Sequence, residues 1–125
     1  MTTSTIQGAT SIVAASGGVG AARGFRSSAV HAGVKKAAGA LDLAIIAADR
    51  PVPAAALFTT NLAQAAPVLL SKAHLDQAHS MIQAIVVNAG CANACTADRG
   101  MDDAARMAGD VAAALGCSAS QVLVA

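Results

Sequence analysis

The residue pattern predicts an α/β fold, a mixed sheet with flanking helices, and three features carry that expectation. Leu41–Ala48 and Ile82–Asn88 are near-continuous runs of Val, Ile, Leu and Ala bounded by turn residues, the signature of buried strands. Met101–Leu115 carries an apolar stripe at helical spacing. Several strand-like runs precede any helix, and strand and helix then alternate, which suits a layered packing of helices on a sheet.

Each element follows from local chemistry. Residues 1–22 are rich in Ser, Thr, Gly and Ala without periodicity and read as a flexible leader, with the ordered domain spanning 23–125. Gly24–Lys35 alternates partially with period two and reads as a strand; Lys36–Ala40, with Gly39, reads as a turn. The strand Leu41–Ala48 is expected to break at Asp49-Arg50-Pro51-Val52-Pro53. Ala54–Thr60 is a third strand, and Pro67–Leu70 a short edge strand, because Pro67 has no N–H for a ladder. Ser71 is the expected N-cap of a short helix through Ala78. Ile82–Asn88 is the best central strand. In the helix Met101–Leu115, Met101, Ala104, Ala105, Ala108, Val111, Ala112 and Leu115 form the inner stripe, Asp102 and Asp103 favour the N-terminal dipole, and Gly116 ends it. Gln121–Ala125 is the last strand.

Composition narrows the function. Of 125 residues 55% are hydrophobic and 12% charged, which excludes a disordered chain. Aromatics are 2%, so the core is built from small aliphatic side chains. A net charge of +1 leaves no electrostatic footprint for nucleic acid, and the cluster Arg23, Arg26, Lys35 and Lys36 reads as solvated surface. Met1–Ala22 lacks the basic start of a signal peptide, and Pro51–Leu70 carries three prolines and several polar residues where a membrane helix would be apolar. The expected location is cytoplasmic. Three cysteines, Cys91, Cys95 and Cys117, read as small buried thiols.

Most candidate chemistry dissolves on inspection. Ser16–Gly24 looks like a dinucleotide loop, but Arg23 stands where Gly or Ala is needed and no strand precedes it. A lone C-x3-C, Cys91 and Cys95, with scattered His31, His74 and His79, is a poor metal set, and no metal or organic cofactor is expected. His74 and His79 read as exposed. There is no Glu, and Asp42 and Asp49 take turn and edge roles. The loop Asn88–Thr96 is different. Asn88 and Asn93 offer donors and acceptors, and Gly90 permits close backbone approach. Read from its residues alone, the loop is either a self-satisfied turn or a ligand-holding one.

Five segments in order carry a resemblance: Gly24-Phe25-Arg26 with Gly33-Val34-Lys35; Asp42-Leu43-Ala44-Ile45-Ile46; Ala56-Leu57-Phe58-Thr59-Thr60-Asn61; Ala65-Ala66-Pro67-Val68; and Val86-Val87-Asn88-Ala89-Gly90-Cys91-Ala92-Asn93-Ala94-Cys95-Thr96. Together they resemble the ornithine acetyltransferase family, also called glutamate N-acetyltransferase, of arginine biosynthesis. Ala89, Cys91 and Ala97 depart from the family's usual Ser, Asn and Gly.

The resemblance implies a layered αββα fold of which this chain is the first portion, an N-terminal fragment too short for the usual self-cleaved chain. It implies acetyl transfer from N-acetylornithine to glutamate through a threonine nucleophile freed by autocleavage, with no cofactor. That threonine and the oxyanion-hole pair would follow Ala125, so no catalytic residue is assigned on this chain. Asn88, Gly90 and Asn93 are the expected substrate-side wall. The expected partners are the small-molecule substrates, the rest of the precursor and further copies in an oligomer, not nucleic acid or membrane. The alternative is a non-catalytic small-ligand-binding domain using the Asn88–Thr96 loop; a hydrolase built on Cys91 is a third reading.

Overall fold

A computed structural model describes residues 14 and 16–125, so most of the 1–22 leader lies outside the described residues. Four strands, β1 (Phe25–Val30), β2 (Leu43–Pro53), β3 (Met81–Asn88) and β4 (Val122–Val124), form one sheet in the order β1-β2-β3-β4. The first three are antiparallel neighbours, and β4 runs parallel to β3. Helices α1 (Ala66–Gln77) and α2 (Ala97–Leu115) connect the later strands. A parallel neighbour needs such a crossover, and α2 supplies it between β3 and β4. The chain is therefore α/β, as its pattern predicts. Among the described residues no helix is long and apolar enough to cross a membrane.

Register sorts the side chains by face. Ile45 opposes Val86, Ala47 opposes Ala84, and Val122 and Val124 stand beside Ala84 and Val86. These residues meet Ala66 of α1 and Ala104, Ala108, Val111 and Ala112 of α2 in one core, where Val86 and Val122 are the largest fully buried side chains. The α2 stripe is that expected, except that Ala105 is exposed and Met107 packs on the core instead. Ile46, Ile85 and Phe25 lie on the opposite face. Phe25 and Ile85 are exposed there beside a shallow cavity of about 160 Å³.

Several boundaries differ from the sequence expectation. The Asp49–Pro53 segment does not end the strand: β2 runs on to Pro53 through a register shift between Ala47 and Val52. Pro51 falls inside that irregularity, where no ladder N–H is required of it. The segment Ala54–Thr60 forms no strand. Thr59 Oγ1 accepts the Asn61 N–H and Asn61 Oδ1 accepts the Ala63 N–H, so side chains meet backbone needs that a ladder would otherwise meet. Leu57 on this segment and Leu62 just after it are fully exposed.

Pro67 opens a helix and not an edge strand. It sits in the first turn of α1, where a missing N–H is harmless and a fixed φ is helical. Ser71 is thus interior to α1 and caps nothing at its start. Its hydroxyl donates to the Val124 carbonyl at 2.8 Å and accepts the Val124 N–H at 2.9 Å, while His74 Nδ1 donates to the Val122 carbonyl at 2.8 Å. Two helix side chains thereby occupy the outer edge of β4. α2 begins at Ala97, four residues earlier than expected, and Gly116 ends it in the left-handed region at φ 70°. Asp98 takes the first-turn position assigned to Asp102 and Asp103.

Ser71→Ala should cost about 1–3 kcal/mol, because the Val124 N–H is buried with no other partner available to it. Chemical denaturation of the intact protein measures this. A change below about 0.5 kcal/mol would show that the β4 edge does not depend on Ser71.

Candidate functional site

The strand ends converge where the sequence places its candidate loop. The Asn88 N–H donates to the Ala125 carbonyl, the Ala125 N–H to the Val86 carbonyl, and the Ala89 N–H to the Asp42 carbonyl, each at 2.9 Å. The carboxyl end of β3 is thus tied on one side to the exit of β4 and on the other to the entry of β2. Such an end of an open sheet is where ligands commonly meet α/β proteins.

Within the loop the polar side chains serve the backbone first. Asn88 Nδ2 donates to the Cys91 carbonyl at 2.9 Å and closes a turn. Asn93 adopts φ 47°, donates from Nδ2 to the Gly100 carbonyl at 2.7 Å and accepts the Thr96 hydroxyl on Oδ1 at 2.6 Å. The Ala66 N–H at the start of α1 donates to the Asn93 carbonyl at 3.4 Å. Asn93 therefore fastens the loop to the starts of both helices. Gly90 needs its missing side chain twice over: φ is 120°, and a Cβ there would lie 3.0 Å from Lys35 Cγ and 3.3 Å from Val34 Cγ1.

Two clefts flank the loop. One, of about 340 Å³, is lined by Val34, Leu43, Pro67, Asn93, Asp103 and Met107, with Asn88 and Cys91 at its border. The other, of about 360 Å³, has Asn88, Cys91, Phe58, Ser71 and Ala125 in its wall. Asn88 and Asn93 thus reach cleft surface together, whereas Gly90 lies behind them against Val34 and Lys35.

The remaining candidates separate. Cys91 and Cys95 are exposed, contrary to the expectation of buried thiols; Cys117 is half-buried, and burial pushes its thiol up. His74 is buried on β4 and not exposed, because its Nδ1–H completes a strand edge; His79 is exposed. Asp49 meets Arg26 at 3.4 Å with both side chains in solvent, where such a pair contributes little. Among the described residues no three His, Cys, Asp or Glu side chains gather as a metal set.

Two residues matter more than their sequence context suggests. Gly100 lies inside α2, where a Cβ would collide with Thr96 Oγ1 and Asn93 Oδ1. Asp42 is buried, and its carboxylate accepts the Ala32 N–H at 2.6 Å and the Lys35 N–H at 2.8 Å, with His31 Nδ1 at 3.3 Å. The Lys35 and then the Ala32 N–H bonds hold this carboxyl below its ordinary 3.8, outweighing the opposing effect of burial, with His31 a smaller help. A lone Asp before an apolar run gives no sign of this; a polar residue at the head of a buried strand is the available signal.

A family model of the ArgJ family matches residues 26–125. The chain belongs to the ArgJ family. It is similar to the arginine biosynthesis bifunctional protein ArgJ of Geobacter sulfurreducens, 50% identical over 102 residues, which are 82% of this chain and 25% of that protein. Its likeness to the ArgJ of Gloeobacter violaceus is 49% over 109 residues, covering 87% and 26%. The chain thus spans about a quarter of the length of the curated relatives it matches. Among solved structures, the bifunctional protein ArgJ of Bacillus halodurans superposes with a TM-score of 0.80 at 37% identity, over 86% of this chain and 55% of that one. An ornithine acetyltransferase of Mycobacterium tuberculosis, complexed with ornithine, gives 0.78 at 43% identity, over 86% and 57%. The family resemblance read from the sequence, and its α/β fold, are therefore correct.

The residues that hold the loop yield two predictions. Gly100→Ala should destabilise by about 1–3 kcal/mol through the Thr96 and Asn93 collision, although Ala in an open helix position gains about 1 kcal/mol over Gly. The sign of the change in a thermal melt decides which effect wins. Asp42 supplies the pH dependence. Its folded carboxyl titrates below the unfolded value, so its stabilisation is complete above pH 3.8 and is lost as the pH falls through the lower folded value. Melting temperatures of wild type and Asp42→Asn should differ near neutrality and converge below that pH; a constant gap down to pH 2 would contradict the assignment.

Proposed function

We propose that this chain is the opening portion of an acetyltransferase that moves an acetyl group from N-acetylornithine to glutamate in arginine biosynthesis. The observation that carries the reading is the family match across residues 26–125, reinforced by about half identity to bifunctional ArgJ proteins. The resemblance implies a threonine nucleophile in the remaining length of the protein, with its own α-amine as base. Acyl transfer would then proceed in two steps: the threonine hydroxyl displaces ornithine from the acetyl carbon, and the glutamate amine displaces the threonine oxygen.

The contribution of this chain is the floor and one wall of the site. The end of β3, held between β2 and β4, fixes where the Asn88–Thr96 loop stands. Asn88 and Asn93 shape the wall through their turn bonds, and Gly90 lets it lie close to the β1–β2 connection. A cytoplasmic location and an oligomeric assembly belong to the same reading.

The test is acetyl transfer by the purified full-length protein. N-acetylornithine and glutamate should yield ornithine and N-acetylglutamate, Cys91→Ala should keep that rate, and residues 1–125 alone should show none. Asn88→Ala should lower kcat/KM by about tenfold, roughly 1.4 kcal/mol, as the turn through Cys91 loosens. Absence of transfer in the full-length protein, or its abolition in Cys91→Ala, would overturn the reading in favour of a binding domain or a cysteine enzyme.

A further inference from the structure

Asp42 is buried yet touches neither cleft, and nothing in the acetyl-transfer scheme uses it. Its contacts run in two directions. Its backbone joins strands: the N–H donates to the Val30 carbonyl at 3.1 Å and the carbonyl accepts the Ala89 N–H at 2.9 Å. Its carboxylate folds the β1–β2 connection over itself, one oxygen on the Ala32 N–H and the other on the Lys35 N–H. His31, whose Nδ1 donates to the Ala40 carbonyl at 2.8 Å, closes the same knot. The residues so held include Ala32 and Val34, which line the 340 Å³ cleft opposite Asn93 and Asp103, and Val34 and Lys35, which lie against Gly90.

We propose that Asp42 is a positioning residue for the substrate cleft: its carboxylate sets the height of the 32–35 segment, and that segment, packed against Gly90, sets the position of the Asn88–Asn93 wall. The inference rests on the acetyltransferase reading for its substrate and on the geometry alone for its mechanism. A carboxylate is suited to the task because both its oxygens accept, so two N–H groups three positions apart in the chain are held by one rigid plane. Asparagine would turn a donor toward one of those N–H groups and release that half of the segment.

In the full-length enzyme, Asp42→Asn should raise KM for N-acetylornithine about tenfold while kcat stays within a factor of about two, the pattern of lost binding without lost chemistry. Hydrogen exchange at the Ala32, Lys35 and Ala89 amides should accelerate together. Asp76→Asn, on the exposed side of α1, should change neither. Should Asp42→Asn fail to fold, Val34→Ala removes the contact with Gly90 at an exposed position and should raise KM in the same direction. An unchanged KM in a folded Asp42→Asn protein, or in Val34→Ala where only that variant folds, overturns the proposal. Should wild-type protein transfer no acetyl group, the substrate reading fails by itself. Exchange at Ala89 then still decides the role of Asp42: faster exchange in the variant supports it, and unchanged exchange overturns it.

Discussion

The fold depends on how closely two helices can approach a sheet whose facing side chains are nearly all Ala and Val. Burying a Val contributes about 1.5–3 kcal/mol, and an Ala much less. The core of Ala47, Ala84, Val86, Ala104, Ala108, Ala112, Val122 and Val124 must therefore make up in close fit what it lacks in area. Small side chains also bring backbones together. That is why helix side chains reach the strand edge directly. Ser71 and His74 complete β4 because α1 lies near enough for one- and two-carbon reaches.

The same closeness organises the candidate site. Three strand ends meet within single hydrogen bonds at Ala89, Asn88 and Ala125, so the loop after β3 has little freedom in where it starts. Asn93 and Thr96 then fasten its far end to α2 and α1. A wall made this way is rigid without any large side chain. Its polar groups are spent mainly on the backbone, so any recognition it contributes comes through shape as much as through free amides.

The sheet face opposite the helices has a different make-up. Phe25, Ile46 and Ile85 form an apolar surface there, larger side chains than the Ala and Val that face the helices. The curated relatives match this face's strands within proteins of which this chain spans about a quarter.

Patterning along the chain was enough for β3, for α2 with its Gly116 stop, for the Asn88–Thr96 loop and for the family, because periodicity and local motif order are properties of the sequence itself. Tertiary structure decided the rest. Pro67 reads as the start of an edge strand, but it opens α1, whose Ser71 and His74 bond the Val124 and Val122 edge of β4. Ala54–Thr60 has strand residues but pairs with no strand, and side chains of Thr59 and Asn61 meet its backbone needs instead. Asp42 and Gly100 look ordinary in sequence because their importance lies in what the fold places against them: two amides across a loop in one case, a threonine hydroxyl in the other. Contacts between residues distant along the chain leave no local period to read, and those contacts are what shape this cleft.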